Sequence, residues 1–312
     1  MSESQQIESG AWPIVGPDLA SALDAHVRPL AALADGSIAA IVLRGTYPAA
    51  SCQRLIDRLV DEGLLYDPRE EMPAALREQV IPEGYYREGR SDVPESDWQR
   101  RATNDRPRID IGTSLGYRGS DKEAFLAHSQ QTHELFARLF ADGDDPVRLL
   151  YDRLGALAVD RRVVTAHEPD GRRYGPAIIR AHYGGYTYKP HFDSVRLREK
   201  RDDYAVHAFA HQFAGVLVLQ NSRLGDVTAQ CRLHRCFWND EVDTHLKADT
   251  FHAYAAGQGI ENVEVCLEPG DLYFFNTRLI HEVPGVPGEL PRVVLATFIG
   301  YDEDREDVFV WS

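Results

Sequence analysis

The chain has 312 residues, of which 43% are hydrophobic and 27% charged, and its formal net charge is −15. That length allows a sizeable core in one large domain or two small ones, and the acidic balance excludes a broad electrostatic footprint for nucleic acid or an anionic membrane. No run of about 18 apolar residues occurs, so no membrane span is expected.

The opening stretch, MSESQQIESG, is polar and lacks a basic region followed by an apolar one. No signal peptide is expected there, and the cytoplasm is the predicted compartment. Residues 16–66 contain a strand-like apolar run, IAAIVLRGTYP, followed by AASCQRLIDRLVDEGLL. In the second segment Leu55, Ile56, Leu59 and Val60 recur at helical spacing. Residues 67–108 are rich in Pro, Arg, Asp and Glu with little periodicity. They read as a long irregular excursion, of the kind that serves as a lid over a small-molecule site. Helical spacing returns between residues 121 and 158, in EAFLAHSQQTHELFARLF and PVRLLYDRLGALAV.

From about residue 176 the period shortens towards two. AIIRAHY, AGVLVLQ, VEVCLEPGDLYFFN and RVVLATFIGY are short, β-branched or aromatic, and punctuated by Gly, Pro and Asn. Such strands predict a β-sandwich or jelly roll. The expectation is a single α+β domain over residues 1–312. Residues 1–175 form a mostly helical part packed outside, and residues 176–312 form the β core. The acidic run DEDRED reads as a solvated turn before the closing VFVWS.

Within YKPHFDS, His191 and Asp193 are two residues apart. In extended chain, side chains at i and i+2 share a face, so these two look into one space and Phe192 looks away. An imidazole beside a carboxylate is two-thirds of the site that holds non-haem iron(II) in oxygenases, where two His and one carboxylate leave further positions open. The third ligand should be a distant His. PGDLYFFNTRLIHEVPGV supplies His281 after a turn and a buried strand. Eleven residues further on, Arg292 opens the apolar strand RVVLATF. A cation there needs an anionic partner, and a dicarboxylate would suit a guanidinium.

These segments resemble the Fe(II)/2-oxoglutarate-dependent oxygenases. HYGGYTYKPHFDS, GVLVLQNSRLGD and EPGDLYFFN with HEVPGV and Arg292 are similar to the prolyl-4-hydroxylase-like branch. The overall layout, including IVLRGTYP and the closing WS, is similar to small-molecule tailoring oxygenases related to the freestanding alkaloid halogenases. The resemblance implies a double-stranded β-helix (jelly-roll, cupin-like) core with flanking N-terminal helices. It also implies iron(II) on His191, Asp193 and His281, with the distal carboxylate of 2-oxoglutarate on Arg292 and O2 as oxidant. Many members carry Ser or Thr two residues after that Arg, where this chain has Val294, and Tyr183 is the candidate for the missing contact. The freestanding halogenases carry a small residue in place of the carboxylate and leave room for chloride. This chain has Asp193, which shifts the implied reaction to hydroxylation of an unactivated carbon in a small molecule. Desaturation or ring closure at the same site, hydroxylation of a protein or peptide, and a cupin-like binding protein without turnover are the alternatives.

Other residues have plainer readings. Cys52, Cys231, Cys236 and Cys266 form no CxxC pair, so neither a disulfide framework nor a zinc site built on Cys231, His234 and Cys236 is expected. His207 and His211 have zinc spacing on a helix but lack the Glu of HExxH. His182 is expected to pack with a hydrogen bond, and Trp238 to sit in the core or under the pocket. Arg180 and Arg196 flank the metal segment, as surface ion pairs or as holders of an anionic substrate group.

Overall fold

The computed structural model describes residues 12–78, 108–118, 121–141 and 143–312. Most of the excursion expected between 67 and 108 lies outside them. Its described beginning forms a short helix, Ala74–Glu78.

The N-terminal half supplies helices Leu19–Ala25, Pro29–Asp35, Ala49–Asp61, Lys122–Leu139 and Pro146–Leu157. Their starts are written into the chain. Asp121 accepts from the Ala124 amide, and Asp145 accepts from Val147 and Arg148 with Pro146 at the first helical position. The same half also contributes strands β1 (Ile14–Val15), β2 (Ala40–Leu43), β3 (Arg108–Ile111) and β4 (Arg162–Thr165). The remainder of the chain forms β5 (Ile178–His182), β6 (Tyr188–His191), β7 (His211–Gln220), β8 (Arg223–Leu224), β9 (Val227–Thr228) and β10 (Cys231–Phe237). These are followed by β11 (Asn262–Val265), β12 (Leu272–Asn276), β13 (Leu279–Val283), β14 (Arg292–Tyr301) and β15 (Asp307–Trp311). Two further helices, Asp240–Lys247 and Phe251–Gly257, interrupt the β half between β10 and β11.

Two sheets face each other as a jelly roll. The larger runs β1-β2-β12-β7-β14-β15-β4, with β5 bridging β14 and β3. The smaller runs β11-β10-β13-β6. Alternation sorts the side chains of the larger sheet between two cores. On β12, Leu272 and Phe274 join the helices, while Tyr273 and Phe275 face the smaller sheet. On β7, Phe213 and Leu217 go to the helices, and Ala214, Val216 and Val218 face inward. Both faces of these strands are covered, which is why they read as continuous apolar runs. The helices therefore do more than decorate the barrel: they close the outer face of its larger sheet, and β2 and β3 hydrogen-bond into that sheet. Near the site, the loop after β13 crosses the lead-in to β6 so closely that a Cβ on Gly285 would overlap the Gly185 carbonyl. Among the described residues, no helix is long and apolar enough to cross a membrane.

Candidate metal centre

His191 ends β6, the edge strand of the smaller sheet. Pro190, which lacks an amide donor, is tolerated at such an edge. Antiparallel pairing of β6 with β13 sets His191 directly opposite His281, with ring centroids 4.2 Å apart. Asp193 lies just past the strand, and Thr277 clamps its backbone. The Asp193 amide donates to the Thr277 carbonyl at 2.9 Å, and the Thr277 hydroxyl donates to the Asp193 carbonyl at 2.9 Å. Asp193 Oδ2 then stands 3.8 Å from His191 Nε2 and 3.6 Å from His281 Nε2. Phe192 turns to the other side and stacks on Trp238 at 4.8 Å.

The outer ring nitrogens fix the tautomers. Nδ1 of His191 faces the Lys189 carbonyl at 2.6 Å, and Nδ1 of His281 faces the Leu279 carbonyl at 2.9 Å. Only a protonated Nδ1 donates to a carbonyl, so each Nε2 keeps its lone pair aimed at the shared space, the usual arrangement behind a metal-bound His. Burial opposes charge on Asp193, yet the Arg198 guanidinium, which donates to Oδ1 at 2.9 Å, favours the carboxylate, and the carboxyl is held well below the usual carboxylate range. The three ligand atoms lie within 4.8 Å of one another, the only such metal-sized grouping among the described residues. Two neutral imidazoles and one carboxylate converging on a point are a donor set that fits iron(II).

The cavity beside this cluster runs between the sheets. Its lining follows strand alternation: Arg292, Val294, Ala296 and Phe298 from β14, and His182, Arg180 and Ile178 from β5. Arg292 is 6% exposed, and among the described residues no carboxylate pairs with it. A buried guanidinium without a counter-ion, facing the metal cluster, fits a bound carboxylate.

Beside Arg292 lie the Tyr273 hydroxyl and the Cys231 thiol. Burial, then the thiol, raise the tyrosine well above its ordinary value, and burial pushes Cys231 up to about 12. Both are neutral at physiological pH, and Tyr273 is a donor free of charge repulsion. Val294 lines the cavity without a hydroxyl, and Tyr273, which the sequence reading did not single out, supplies one to the same wall. The signal was present in DLYFFN, since Tyr273 and Phe275 share the inward face.

Tyr183 stands apart from the candidate contact to 2-oxoglutarate. His182 is the register partner of Arg292 and faces the cavity, so Tyr183 faces the helices. There its ring stacks on Tyr66 at 4.4 Å and its hydroxyl donates to the Tyr66 carbonyl at 3.0 Å. His182 is buried, and its Nε2 meets the Tyr188 hydroxyl at 3.0 Å. Burial, with Arg292, Arg108 and Arg180 close by, holds its pKa well below the ordinary histidine value. Arg180 lines the cavity with its Nε 3.9 Å from Asp110, whose carboxylate is taken by Arg108 at 2.9 and 2.8 Å.

Arg196 is exposed and takes no part in the lining. His207 belongs to a 3-10 turn while His211 opens β7, so the two share no helix face. Trp238 is half-buried, stacked on Phe192 outside the cavity lining, with its indole donating to Asp243. All four cysteines are free thiols.

Residues 19–312 match a protein-family model described as "carrier-protein-independent halogenase WelO5". A comparison with curated proteins gave no match. Among solved structures, a novel N-substituted L-amino acid dioxygenase from Burkholderia ambifaria AMMD is similar at 16% identity. The match covers 91% of this chain and 90% of that one, with a TM-score of 0.53. Its complex with alpha-ketoglutarate matches at 15% identity over 91% and 90%, with a TM-score of 0.49. HygX from Streptomyces hygroscopicus, with nickel and 2-oxoglutarate bound, matches at 12% identity over 86% and 85%, with a TM-score of 0.42. At such identities, the first of these shows a shared fold.

Proposed function

As a member of the carrier-protein-independent halogenase family, the chain is an iron(II)- and 2-oxoglutarate-dependent oxygenase that acts with O2 on small molecules, and we propose that it hydroxylates an unactivated carbon. The observation that carries this reading is Asp193. Its Oδ2 lies 3.8 and 3.6 Å from the two His Nε2 atoms, in the position that the freestanding halogenases leave to chloride. With a carboxylate there, halide has no reserved place among the ligands.

In this reading His191, Asp193 and His281 hold the iron, and Arg292 pairs with the distal carboxylate of 2-oxoglutarate with Tyr273 beside it. When bound, iron with 2-oxoglutarate and O2 supplies the oxidising power to replace a C–H hydrogen by hydroxyl, leaving succinate and CO2. The protein contributes position and dryness. The Nδ1 contacts to Lys189 and Leu279 keep both imidazoles aimed inward, and Val216, Phe275 and Val294 exclude water from the wall. Ile178, Ala296 and Phe298 extend the wall away from Arg292 and offer an apolar body of substrate a surface within reach of the metal.

The whole chain acts as one oxygenase domain, with residues 176–312 carrying most of the β core and residues 1–175 adding the flanking helices and strands β1 to β4 of the larger sheet. The entry of β2 and β3 into the larger sheet supports this. Its free thiols suit a reducing cytoplasm.

The test is a screen of small molecules for succinate release by the iron-loaded protein, followed by mass spectrometry of products formed in chloride or bromide. One oxygen atom gained per succinate is expected. A halogen isotope pattern overturns the hydroxylase reading, a product lighter by two hydrogens moves it to desaturation or ring closure, and substrate binding without succinate points to a binding protein.

A further inference from the structure

The chain after Asp193 folds into an unusual turn. Ser194 caps it by accepting from the Leu197 amide at 3.1 Å, and Val195–Glu199 form a single π-helical turn. Lys200 closes it in the left-handed region, at φ 53°, which a side chain other than glycine adopts only where the surroundings enforce it. π-Turns are rare and concentrate at functional sites. This one swings Arg198 back onto the ligand segment. Its Nη1 donates to the Phe192 carbonyl at 3.0 Å and to Asp193 Oδ1 at 2.9 Å.

The two oxygens of Asp193 are thereby divided. Oδ2 faces the two histidines, and Oδ1 is held by the guanidinium. We propose that Arg198 is a positioning residue that keeps Asp193 a one-oxygen ligand and so keeps one coordination position of the metal open. The proposal rests on the metal reading given above.

Ligand counting gives the reason. Two His, one carboxylate oxygen and a chelating 2-oxoglutarate take five of six octahedral positions, leaving the sixth for O2. A carboxylate bound through both oxygens would take that sixth position. Asp193 Oδ1 is joined to Oδ2 through one carbon, so it reaches the same metal if nothing restrains it, and the backbone clamp at Thr277 does not restrain the carboxyl torsion. A charge-assisted bond to a guanidinium does. The contact also differs from a surface ion pair, because the same nitrogen is tied to the Phe192 carbonyl and the Asp193 side chain is only 20% exposed.

The experiment uses full-length protein loaded with Mn(II), which takes octahedral oxygen and nitrogen sites, under saturating 2-oxoglutarate. Water-proton relaxation then reports an exchangeable water in the open position. Wild type is expected to show that water. Arg198→Met is expected to bind Mn(II) but to fall to the relaxation of a closed site, and Arg198→Lys to restore part of the signal. Should the Met variant fail to fold, Arg198→Gln carries the same expectation. Wild-type relaxation in the Met or Gln variant, or no restoration by Lys, overturns the proposal while leaving the metal site intact. Failure of wild type to take up Mn(II) brings down the metal reading and this proposal together.

Discussion

His191 and His281 stand directly across from each other on β6 and β13, with ring centroids 4.2 Å apart and each Nδ1 tied to a backbone carbonyl. Strand pairing therefore builds two-thirds of the ligand set before any metal arrives, and Asp193 completes it. One Fe(II) per chain is expected, and His191→Ala, Asp193→Ala and His281→Ala should each abolish turnover. Iron titration with all three variants checks this, and wild-type affinity in every one would refute the ligand set.

Arg292→Leu should raise the KM for 2-oxoglutarate by roughly 30- to 1000-fold, from about 2–4 kcal/mol of charge-assisted contact. Lys at that position should recover only part, because an ammonium cannot match the guanidinium fork. Steady-state kinetics at saturating iron decides, and an unchanged KM in the Leu variant moves the anchor elsewhere.

Tyr273→Phe and Tyr183→Phe should separate cleanly. The first removes the neutral donor beside Arg292 and should raise the same KM by roughly 5- to 10-fold, the worth of about 1–1.5 kcal/mol. The second should leave KM alone and lower stability by about 1 kcal/mol, through loss of the bond to the Tyr66 carbonyl. Calorimetry of 2-oxoglutarate binding beside denaturant melts tests the pair; a reversed pattern would return the co-substrate contact to Tyr183.

His182 should make the fold sensitive to acid. Its folded pKa lies well below the ordinary value, so below pH about 6.5 the unfolded chain binds a proton that the folded chain refuses. Stability then falls as pH drops, by up to about 1.4 kcal/mol per pH unit from this group. His182→Gln keeps a polar partner for Tyr188 and removes the proton. Urea midpoints between pH about 7 and about 5 should fall less steeply in that variant, and parallel curves would show that His182 is not the group responsible.

The sequence by itself carried the ligand types and their order. His191 and Asp193 share a face because extended chain repeats every two residues, and Arg292 stood out as a charge that an apolar strand cannot carry alone. The same period identified the long strands β7, β12 and β14, and the 3.6-residue spacing of apolar side chains marked the helices Lys122–Leu139 and Pro146–Leu157. Alternation, however, says only which side chains share a face, not which face meets the cavity. That choice belongs to register: β14 pairs with β5 so that Arg292 lies opposite His182, which sends Tyr183 to the helices, and β12 pairs with β7 so that Tyr273 lies opposite the inward-facing Val216. Only the tertiary structure placed β2 and β3 in the larger sheet, because the long-range pairing that recruits them leaves no local pattern in the chain. The same holds for Arg198. A π-turn is set by how the segment after Asp193 must pack, and no spacing in VRLRE announces that its second arginine will return to the carboxylate beside the metal site.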